Sequence, residues 1–190
     1  MQKIILASQS PRRKQLLEWA EIEFDVMVSN VDETFPAGVS FDEAAIGIAR
    51  SKAVAIAGQV TNGLPILAAD TVVVSNGQVI GKPKDREEAI SFLTELSGKT
   101  HKVITGVIIL NEGQEVSFAD TTCVTFHDLT KEQITFYVDK YKPFDKAGAY
   151  AIQEWIGVVG IKCIEGDFYN VMGLPVSRVL QVLTLLQTQA

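Results

Sequence analysis

Strand-like and helix-like segments alternate along this chain of 190 residues, and this order restricts the fold more than any other feature. Apolar runs typical of strands are Lys3–Ala7, Glu23–Val28, Pro65–Val74, His101–Leu110, Val116–His127 and Gly157–Glu165. Periodic segments predict helices over Pro11–Trp19, Ser40–Gly58, Asp85–Leu96, Thr130–Lys140 and Leu174–Leu186. Asn76-Gly77 and Asn111-Glu112-Gly113 predict tight hairpins among these crossovers. The sequence therefore predicts an α/β or α+β fold with a mixed sheet.

Length and composition exclude several classes of protein. A chain of 190 residues fits one or at most two small domains, and a hydrophobic fraction of 47% indicates a globular protein. The net charge of -6 argues against a protein that binds nucleic acid or a membrane surface through a basic face. Cys123 and Cys163 lie far apart without a C-x-x-C motif, which favours a reduced chain. With no secretory or transmembrane segment predicted, we expect a cytoplasmic protein.

The segment Ser8-Gln9-Ser10-Pro11-Arg12-Arg13 predicts the start of the first helix. Ser10 suits the N-cap, and Pro11 suits the first helical position because its φ is already helical. Arg12 and Arg13 then add cations at the helix end that already carries about half a positive charge, so an anion nearby would compensate. Hydroxyls, free N–H groups and two guanidinium groups together suit a phosphate. The alternative interpretation is a basic turn at the surface.

Carboxylates occur at two positions where they could do chemistry. Asp70 interrupts the apolar run Ile66–Val74, where a carboxylate is unfavourable unless it is paired, hydrogen-bonded or bound to a metal. It could act as a base, or it could be a buried aspartate satisfied by backbone N–H groups or by a lysine. Asp32-Glu33 follows a strand, and oxygen ligands of this kind suit Mg²⁺ or Mn²⁺. On its own, such an acidic pair is typical of a solvated turn.

Other polar side chains are weaker candidates for ligand binding. Lys52 lies on the predicted helix that begins at Ser40, and Lys82 lies in the rigid loop Gly81-Lys82-Pro83-Lys84, so both could contact phosphate oxygens. In Asp145–Gln153 small residues stand beside polar ones, and the Gln153 amide offers both a donor and an acceptor. The alternative for this segment is a tight turn that enters a strand. The P-loop, dinucleotide and Gly-x-Ser-x-Gly motifs are missing from the sequence.

Eight short motifs follow one another in a specific order along the chain: Leu6–Arg13, Val31–Glu33, Ala49–Ala53, Ala69–Thr71, Gly81–Pro83, Leu96–Gly98, Asp145–Tyr150 and Gly173–Pro175. In this order they resemble the Maf family of nucleoside triphosphate pyrophosphatases, also called septum-formation inhibitor proteins, over essentially the whole length. The resemblance implies one domain over residues 1–190, a mixed α/β fold with a central cleft similar to inosine triphosphate pyrophosphatases, and a homodimer. It also implies a link to cell division.

The resemblance further implies a reaction and the residues that perform it. A nucleoside triphosphate would be hydrolysed at the α–β phosphoanhydride to the monophosphate and pyrophosphate, with a divalent metal ion such as Mg²⁺ or Mn²⁺. Asp70 would accept the proton of the attacking water, and Glu33 and Asp70 would hold the metal. The triphosphate would be bound by Ser8, Arg13, Lys52 and Lys82. This division of roles suits phosphoryl transfer, which depends chiefly on positioning and electrostatic stabilisation.

Base selection is implied at Arg12, Thr71 and Gln153, as in the branch of the family that acts on dTTP and UTP. A glutamine amide can donate to a pyrimidine O4 and accept from N3–H. Glu154-Trp155 departs from the glycine-rich sequence common after Gln153 and would reshape the mouth of the cleft. The alternatives are 7-methyl-GTP or another modified nucleotide as substrate, and a nucleotide-sensing regulator of division without essential catalysis. Stable binding to nucleic acid or to a membrane is not expected.

Overall fold

The chain folds into a mixed α/β structure, as the alternation of segments predicts. The computed structural model describes residues 2–28, 30–34 and 38–188. The strands are β1 (Ile4–Leu6), β2 (Phe24–Val26), β3 (Ile66–Ser75), β4 (Gln78–Ile80), β5 (Thr100–Asn111), β6 (Gln114–Phe126) and β7 (Ile161–Glu165). The helices are α1 (Pro11–Trp19), α2 (Phe41–Ala57), α3 (Arg86–Leu96), α4 (Lys131–Tyr141), α5 (Trp155–Gly160), α6 (Phe168–Met172) and α7 (Val176–Thr188), with a short 3-10 helix at Ala147–Ala149.

The strands pair in one mixed sheet in the order β2-β1-β3-β5-β6-β7, and β4 also pairs with β3. β1 runs parallel to β2 and to β3, whereas the β3–β4 and β6–β7 pairs are antiparallel. The loop between β3 and β4 is Asn76-Gly77, with φ values of 50° and 74°, and the loop between β5 and β6 is Glu112-Gly113, with φ values of 48° and 81°. Two consecutive positive φ angles characterise the hairpin turn whose twist matches that of the strands. Both predicted hairpins are confirmed.

The fold is divided into two compact units. The first unit contains the chain up to Thr71, the segment Thr105–Asp120 and the chain from Gly173 onwards. The second contains Val72–Ile104 and Thr121–Met172. Each unit is therefore built from separated stretches of sequence. The single domain expected over residues 1–190 stays a prediction.

In the first unit, α2 packs closely against the sheet. Its small residues Ala49 and Ala53 are fully buried in a cluster with Ile5 of β1 and Ala68 of β3. At Gly106 of β5 a Cβ atom would lie 2.3 Å from backbone atoms of α2, so only glycine allows this approach. The helix begins with the predicted capping box, in which Ser40 and Glu43 satisfy each other's backbone N–H groups. Close packing of α2 on β3 brings the buried Lys52 to the strand that carries Asp70.

In the second unit, one predicted strand is partly helical. The sequence predicts a strand over Gly157–Glu165, but residues up to Gly160 belong to α5 and only Ile161–Glu165 pairs with β6. The run of Ile and Val favours a strand by propensity. However, the carbonyl of Glu154 accepts the N–H groups of Gly157 and Val158, which starts a helix there instead. Local hydrogen bonding and tertiary packing thus override the β-propensity of these residues.

His101 of β5 is buried among aromatic rings in the second unit. Its Nε2 atom lies 2.7 Å from the Tyr150 hydroxyl oxygen, and the rings of Phe126 and Tyr150 contact it edge-on. Its Nδ1 atom is buried without a hydrogen-bond partner among the described residues. A proton added there would place a charged donor in an apolar surrounding, and burial accordingly lowers the pKa of His101 to about 4. His101 is therefore neutral at physiological pH.

We expect the folded state to lose stability as the pH falls from about 6.5 to about 4. His101 is neutral in both states above pH 6.5; below it the unfolded chain binds a proton that the folded chain takes up only near pH 4. The loss is about 3 kcal/mol over this window, which corresponds to a melting temperature lower by roughly 5–10 °C. Thermal unfolding of the wild type and of His101→Gln between pH 6.5 and 4 measures this loss. The melting temperature of the variant should depend less steeply on pH.

His127→Gln is the control for this pH dependence. His127 is exposed, and its backbone N–H, which the substitution keeps, donates to the Gly160 carbonyl at 2.8 Å. We expect this variant to follow the wild-type curve. If the melting temperatures of His101→Gln and the wild type depended equally on pH, His101 would not be the cause of the stability loss.

Candidate active site

The N-terminus of α1 has the structure that its sequence predicts. Ser10 is the N-cap, and its Oγ accepts the N–H of Arg13 at 3.4 Å, while Pro11 is the first helical residue. Ser8 is buried, and its Oγ accepts the N–H of Ser10 at 3.2 Å. Two hydroxyls thus lie at the positive end of this helix, where anions are stabilised.

The Arg13 side chain is buried and oriented by three hydrogen bonds. Its Nε donates to the carbonyl of Gly173 at 2.8 Å, Nη1 donates to Ser8 Oγ at 3.1 Å, and Nη2 donates to Thr71 Oγ1 at 2.9 Å. A guanidinium carries five N–H groups, so two have no acceptor in these bonds to described residues. They can donate to a ligand without disturbing the contacts that orient the side chain.

Burial lowers the pKa of Arg13 to about 10, and the charge of Arg12 acts in the same direction. The negative charges of Asp70 and Glu33 oppose this effect. Arg13 therefore keeps its proton at neutral pH, and both carboxylates are near enough to influence it. The cations at the start of α1, which the sequence left without a counter-charge, are partly compensated by these two acids.

Lys52 joins the two candidate carboxylates. Its Nζ lies 2.7 Å from Oδ1 of Asp70 and 2.7 Å from Oε1 of Glu33. The side chains of Lys52 and Asp70 are 11% and 13% exposed, whereas that of Glu33 is 46% exposed, so the bridge runs from the interior towards solvent. A buried aspartate satisfied by a lysine was one alternative for Asp70, and this contact is present. That alternative does not account for a second carboxylate on the same ammonium group.

Thr71 is half-buried, and its hydroxyl belongs to the network around Arg13. Besides accepting from Nη2 of Arg13, Thr71 Oγ1 lies 2.9 Å from Oγ1 of Thr105 and 3.4 Å from the Gly173 carbonyl. Thr105 and Gly173 are contacts that sequence reasoning did not assign. Gly173 could have been noticed, because it begins the motif Gly173-Leu174-Pro175. A threonine at position 105 or a glycine at position 173 does not by itself predict a contact with Thr71 or Arg13. In this network Thr71 orients a guanidinium.

Asp32 and Glu33 have different environments although they are adjacent. Asp32 accepts the backbone N–H of Thr34 at 2.9 Å in a short local turn, and hydrogen bonds from the Thr34 side chain and backbone lower the pKa of Asp32. Glu33 instead reaches Lys52. The solvated turn that the sequence offered as an alternative describes Asp32, whereas Glu33 joins the cluster with Asp70.

Arg12, Lys82 and Gln153 complete the set of predicted site residues. Arg12 is half-buried next to Arg13 on α1. Lys82 and Gln153 are exposed and belong to the second unit. Within that unit, the loop of Lys82 is joined to the 3-10 helix by a hydrogen bond of 3.0 Å from the N–H of Gly148 to the carbonyl of Gly81. The first unit brings together Ser8, Arg12, Arg13, Glu33, Lys52, Asp70 and Thr71.

Glu33 and Asp70 suit a magnesium ion that takes its other ligands from the substrate and from water. They suit less well a metal whose ligands all come from the protein. Both carboxylates contact one cation, Lys52, so they face a common volume. Across residues 2–28, 30–34 and 38–188 there is no group of three or more His, Cys, Asp or Glu side chains that could hold a metal. Mg²⁺ is usually held by one or two carboxylates together with phosphate oxygens of the substrate. These two residues fit that arrangement.

Within the described part of the chain, no helix has the length and apolar character needed to cross a bilayer.

Comparison with solved structures finds distant likenesses. The structure of a nucleoside-triphosphatase, dITP/XTP pyrophosphatase, from Mycobacterium abscessus has a TM-score of 0.38 at 16% identity and covers 66% of this chain and 73% of that chain. The Ham1 protein of Staphylococcus aureus has a TM-score of 0.43 at 15% identity, over 67% of this chain and 73% of that one. At these TM-scores the likeness is too low to carry a structural argument.

Comparison with other sequences finds much closer relatives. A protein of Cytophaga hutchinsonii named dTTP/UTP pyrophosphatase is 51% identical over 180 residues, which are 95% of this chain and 82% of that protein. A protein of the same name from Parabacteroides distasonis is 47% identical over 182 residues, 95% of this chain and 94% of that protein. The model of the Maf-like protein family matches residues 3–186. With this match over nearly its whole length, the chain belongs to the Maf family.

Proposed function

We propose that this protein hydrolyses dTTP and UTP, including modified forms of these nucleotides, at the α–β phosphoanhydride. The products are the nucleoside monophosphate and pyrophosphate. The relatives that are 46–51% identical to this chain over at least 92% of its length carry the name dTTP/UTP pyrophosphatase. The observation that carries the proposal is the cluster in which Lys52 contacts both Asp70 and Glu33, close to the buried Arg13.

The triphosphate is assigned to the N-terminus of α1. Arg13 has two N–H groups beyond those that its described contacts use, and the Ser8 hydroxyl, which accepts two hydrogen bonds, can still donate its own proton. A buried guanidinium oriented by three partners needs little reorganisation to bind an anion. That Lys82 also binds the triphosphate stays a prediction of the family resemblance.

In the proposed reaction a water molecule attacks the α-phosphorus and the bond to the bridging oxygen of pyrophosphate breaks. Asp70 accepts the proton that the water loses. Lys52 contacts Oδ1 of Asp70, and we assign the other oxygen, Oδ2, to the water. Lys52 and Arg13 offset the negative charge that develops on the leaving pyrophosphate. A divalent ion held by Glu33 and Asp70, Mg²⁺ or Mn²⁺, would add positive charge at the phosphate oxygens.

Base selection is assigned to Gln153, and a contribution of Arg12 to it stays a prediction. The Gln153 amide can donate to O4 and accept from N3–H, a pattern that thymine and uracil share. Thr71, the third position expected to select the base, accepts a hydrogen bond from Arg13, so we assign its effect to the orientation of that guanidinium. The homodimer, the cytoplasmic location and the link to cell division stay predictions.

A panel of nucleotides tests this function. With Mg²⁺ or Mn²⁺ present, we expect the purified protein to release pyrophosphate from dTTP and UTP with a kcat/KM at least about tenfold above that for CTP, GTP or 7-methyl-GTP. The Gln153 amide pairs with O4 and N3–H of thymine and uracil, whereas cytosine has an amino group and an unprotonated N3 there, and the adjacent N–H donors of guanine are suited better by a carboxylate. Pyrophosphate and the monophosphate should appear in equal amounts. Preferred turnover of 7-methyl-GTP would contradict the base assignment. Binding of dTTP and UTP without any pyrophosphate release would contradict catalysis and favour a nucleotide-sensing regulator.

A further inference from the structure

The segment that carries Gln153 is a tight turn with both ends held. The N–H of Glu154 donates to the carbonyl of Ala151 at 3.1 Å, which closes a four-residue turn with Ile152 and Gln153 at its centre. Ile152 is 4% exposed, whereas Gln153 is exposed. The turn therefore buries one of its two central side chains and presents the other, the Gln153 amide, to solvent.

One buried phenol contacts both ends of this turn. Tyr137 of α4 is fully buried, and its Oη accepts the backbone N–H of Ala151 at 3.1 Å. The same hydroxyl donates to Oε2 of Glu154. A hydroxyl has one proton and can accept as well, so both bonds form at once. The turn of Gln153 is thus joined at its first and last residues to helix α4.

Further contacts hold Glu154 and the residues behind the turn. Oε1 of Glu154 lies 3.7 Å from Nζ of Lys146, so each carboxylate oxygen has a partner. At Gly157 of α5 a Cβ atom would lie 1.7 Å from the carbonyl oxygen of Ile152, so the helix packs directly onto the turn. None of these contacts involves the Gln153 side chain itself. They determine where its backbone lies and leave its amide available.

We infer that Tyr137 and Glu154 are positioning residues that determine base preference by holding the turn that carries Gln153. This inference rests on the proposed function, because Gln153 must contact the base for its position to matter. An amide on a loosely held turn loses both backbone and side-chain entropy when it binds, whereas an amide on a turn that is already ordered loses only side-chain entropy. Glu154 is then part of the selection for thymine and uracil.

Tyr137→Phe tests the inference, since it removes only the hydroxyl. We expect KM for dTTP and UTP to rise about tenfold, with kcat at saturation changing less than about twofold and the preference over CTP falling about tenfold. Glu154→Ala should show the same pattern, and Glu154→Gln, which still offers an acceptor to Tyr137, should recover most of the preference. Melting temperatures of all variants separate this effect from loss of folded protein.

A double-mutant cycle with Gln153→Ala distinguishes a positioning role of Tyr137 from a purely structural one. Its readout is the effect of Tyr137→Phe on base preference with and without the Gln153 side chain. If Tyr137 acts through Gln153, Tyr137→Phe should not lower base preference further in the Gln153→Ala protein. Tyr141→Phe is the matched control: its ring stacks on Tyr137 with centroids 5.0 Å apart, and it should keep the wild-type preference.

The possible outcomes separate the inference from the proposed function. An active wild type whose Tyr137→Phe variant keeps its base preference, or loses activity equally on every nucleotide, would overturn the inference alone. A wild type that releases no pyrophosphate from dTTP or UTP would overturn the proposed function and the inference with it. If Tyr137→Phe lowers base preference in the wild type but not in the Gln153→Ala protein, the result supports both the inference and the proposed function.

Discussion

Asp70→Asn is expected to lower the kcat for pyrophosphate release from dTTP by about 1,000-fold, within the range that general bases contribute. The amide has nearly the shape of the carboxylate, and its oxygen can still accept a hydrogen bond from Lys52, which lies 2.7 Å from Oδ1 in the native protein. An amide cannot accept a proton from water at neutral pH. The variant should therefore bind the nucleotide while turning it over very slowly.

Two measurements separate binding from catalysis in this variant. Calorimetry with dTTP gives the Kd, which should stay within about fivefold of the wild-type value, and single-turnover release of pyrophosphate gives the rate of the chemical step. Asp25→Asn is the matched control, since Asp25 is an exposed strand carboxylate that pairs with Lys3 at 2.8 Å. It should retain full activity. An Asp70→Asn protein within tenfold of the wild-type rate would remove Asp70 from the role of base.

Arg13→Met is expected to lower kcat/KM for dTTP by about 100-fold, mostly through weaker binding of the triphosphate. The substitution removes a buried cation with hydrogen bonds of 2.8–3.1 Å, and losing charged hydrogen bonds typically costs about 1.5–3 kcal/mol. Arg13→Lys keeps the charge but not the planar set of donors, so its activity should fall between those of the wild type and Arg13→Met. Inorganic pyrophosphate, a product that has no base, should also bind more weakly to Arg13→Lys and Arg13→Met, in the same order as the decrease in activity.

Lys14→Gln is the control for Arg13. It removes a positive charge from the next residue of α1, where the side chain is half-buried, and we expect kcat/KM to change less than about twofold. Melting temperatures show whether Arg13→Met also destabilises the fold by removing the shorter of the two hydrogen bonds to the Gly173 carbonyl. A decrease of the same size in Lys14→Gln would mean that general charge, and not the oriented Arg13, attracts the triphosphate.

Much of the fold could be predicted because its signals lie between neighbours in the sequence. Ser10 with Pro11, the capping box Ser40–Glu43 and the turn Asn76-Gly77 each act within a few residues, and the structure confirms all of them. The strand expected over Gly157–Glu165 failed in its first half. There the hydrogen bonds from Gly157 and Val158 to the Glu154 carbonyl outweigh the propensity of the apolar residues.

The candidate site was less predictable, although its residue types were visible. The sequence indicated carboxylates at Asp70 and Glu33 and offered both Lys52 and Lys82 as cations. Only the structure shows that Lys52 contacts both carboxylates. It also assigns Thr71 to the orientation of Arg13. Neither pairing follows from periodicity, because lysine and threonine occupy many positions where they have no such partner.

By itself, then, the sequence determined the order of the elements, the ends of several helices, the hairpins and the identity of the charged groups. Tertiary structure decided which of those groups meet. Lys52 and Asp70 are 18 residues apart, and Arg13 and the Gly173 carbonyl are 160 apart. Caps and turns result from hydrogen bonds between near neighbours and are visible locally. Contacts over such separations depend on how α2 and the strands pack, and no short stretch of sequence contains that information.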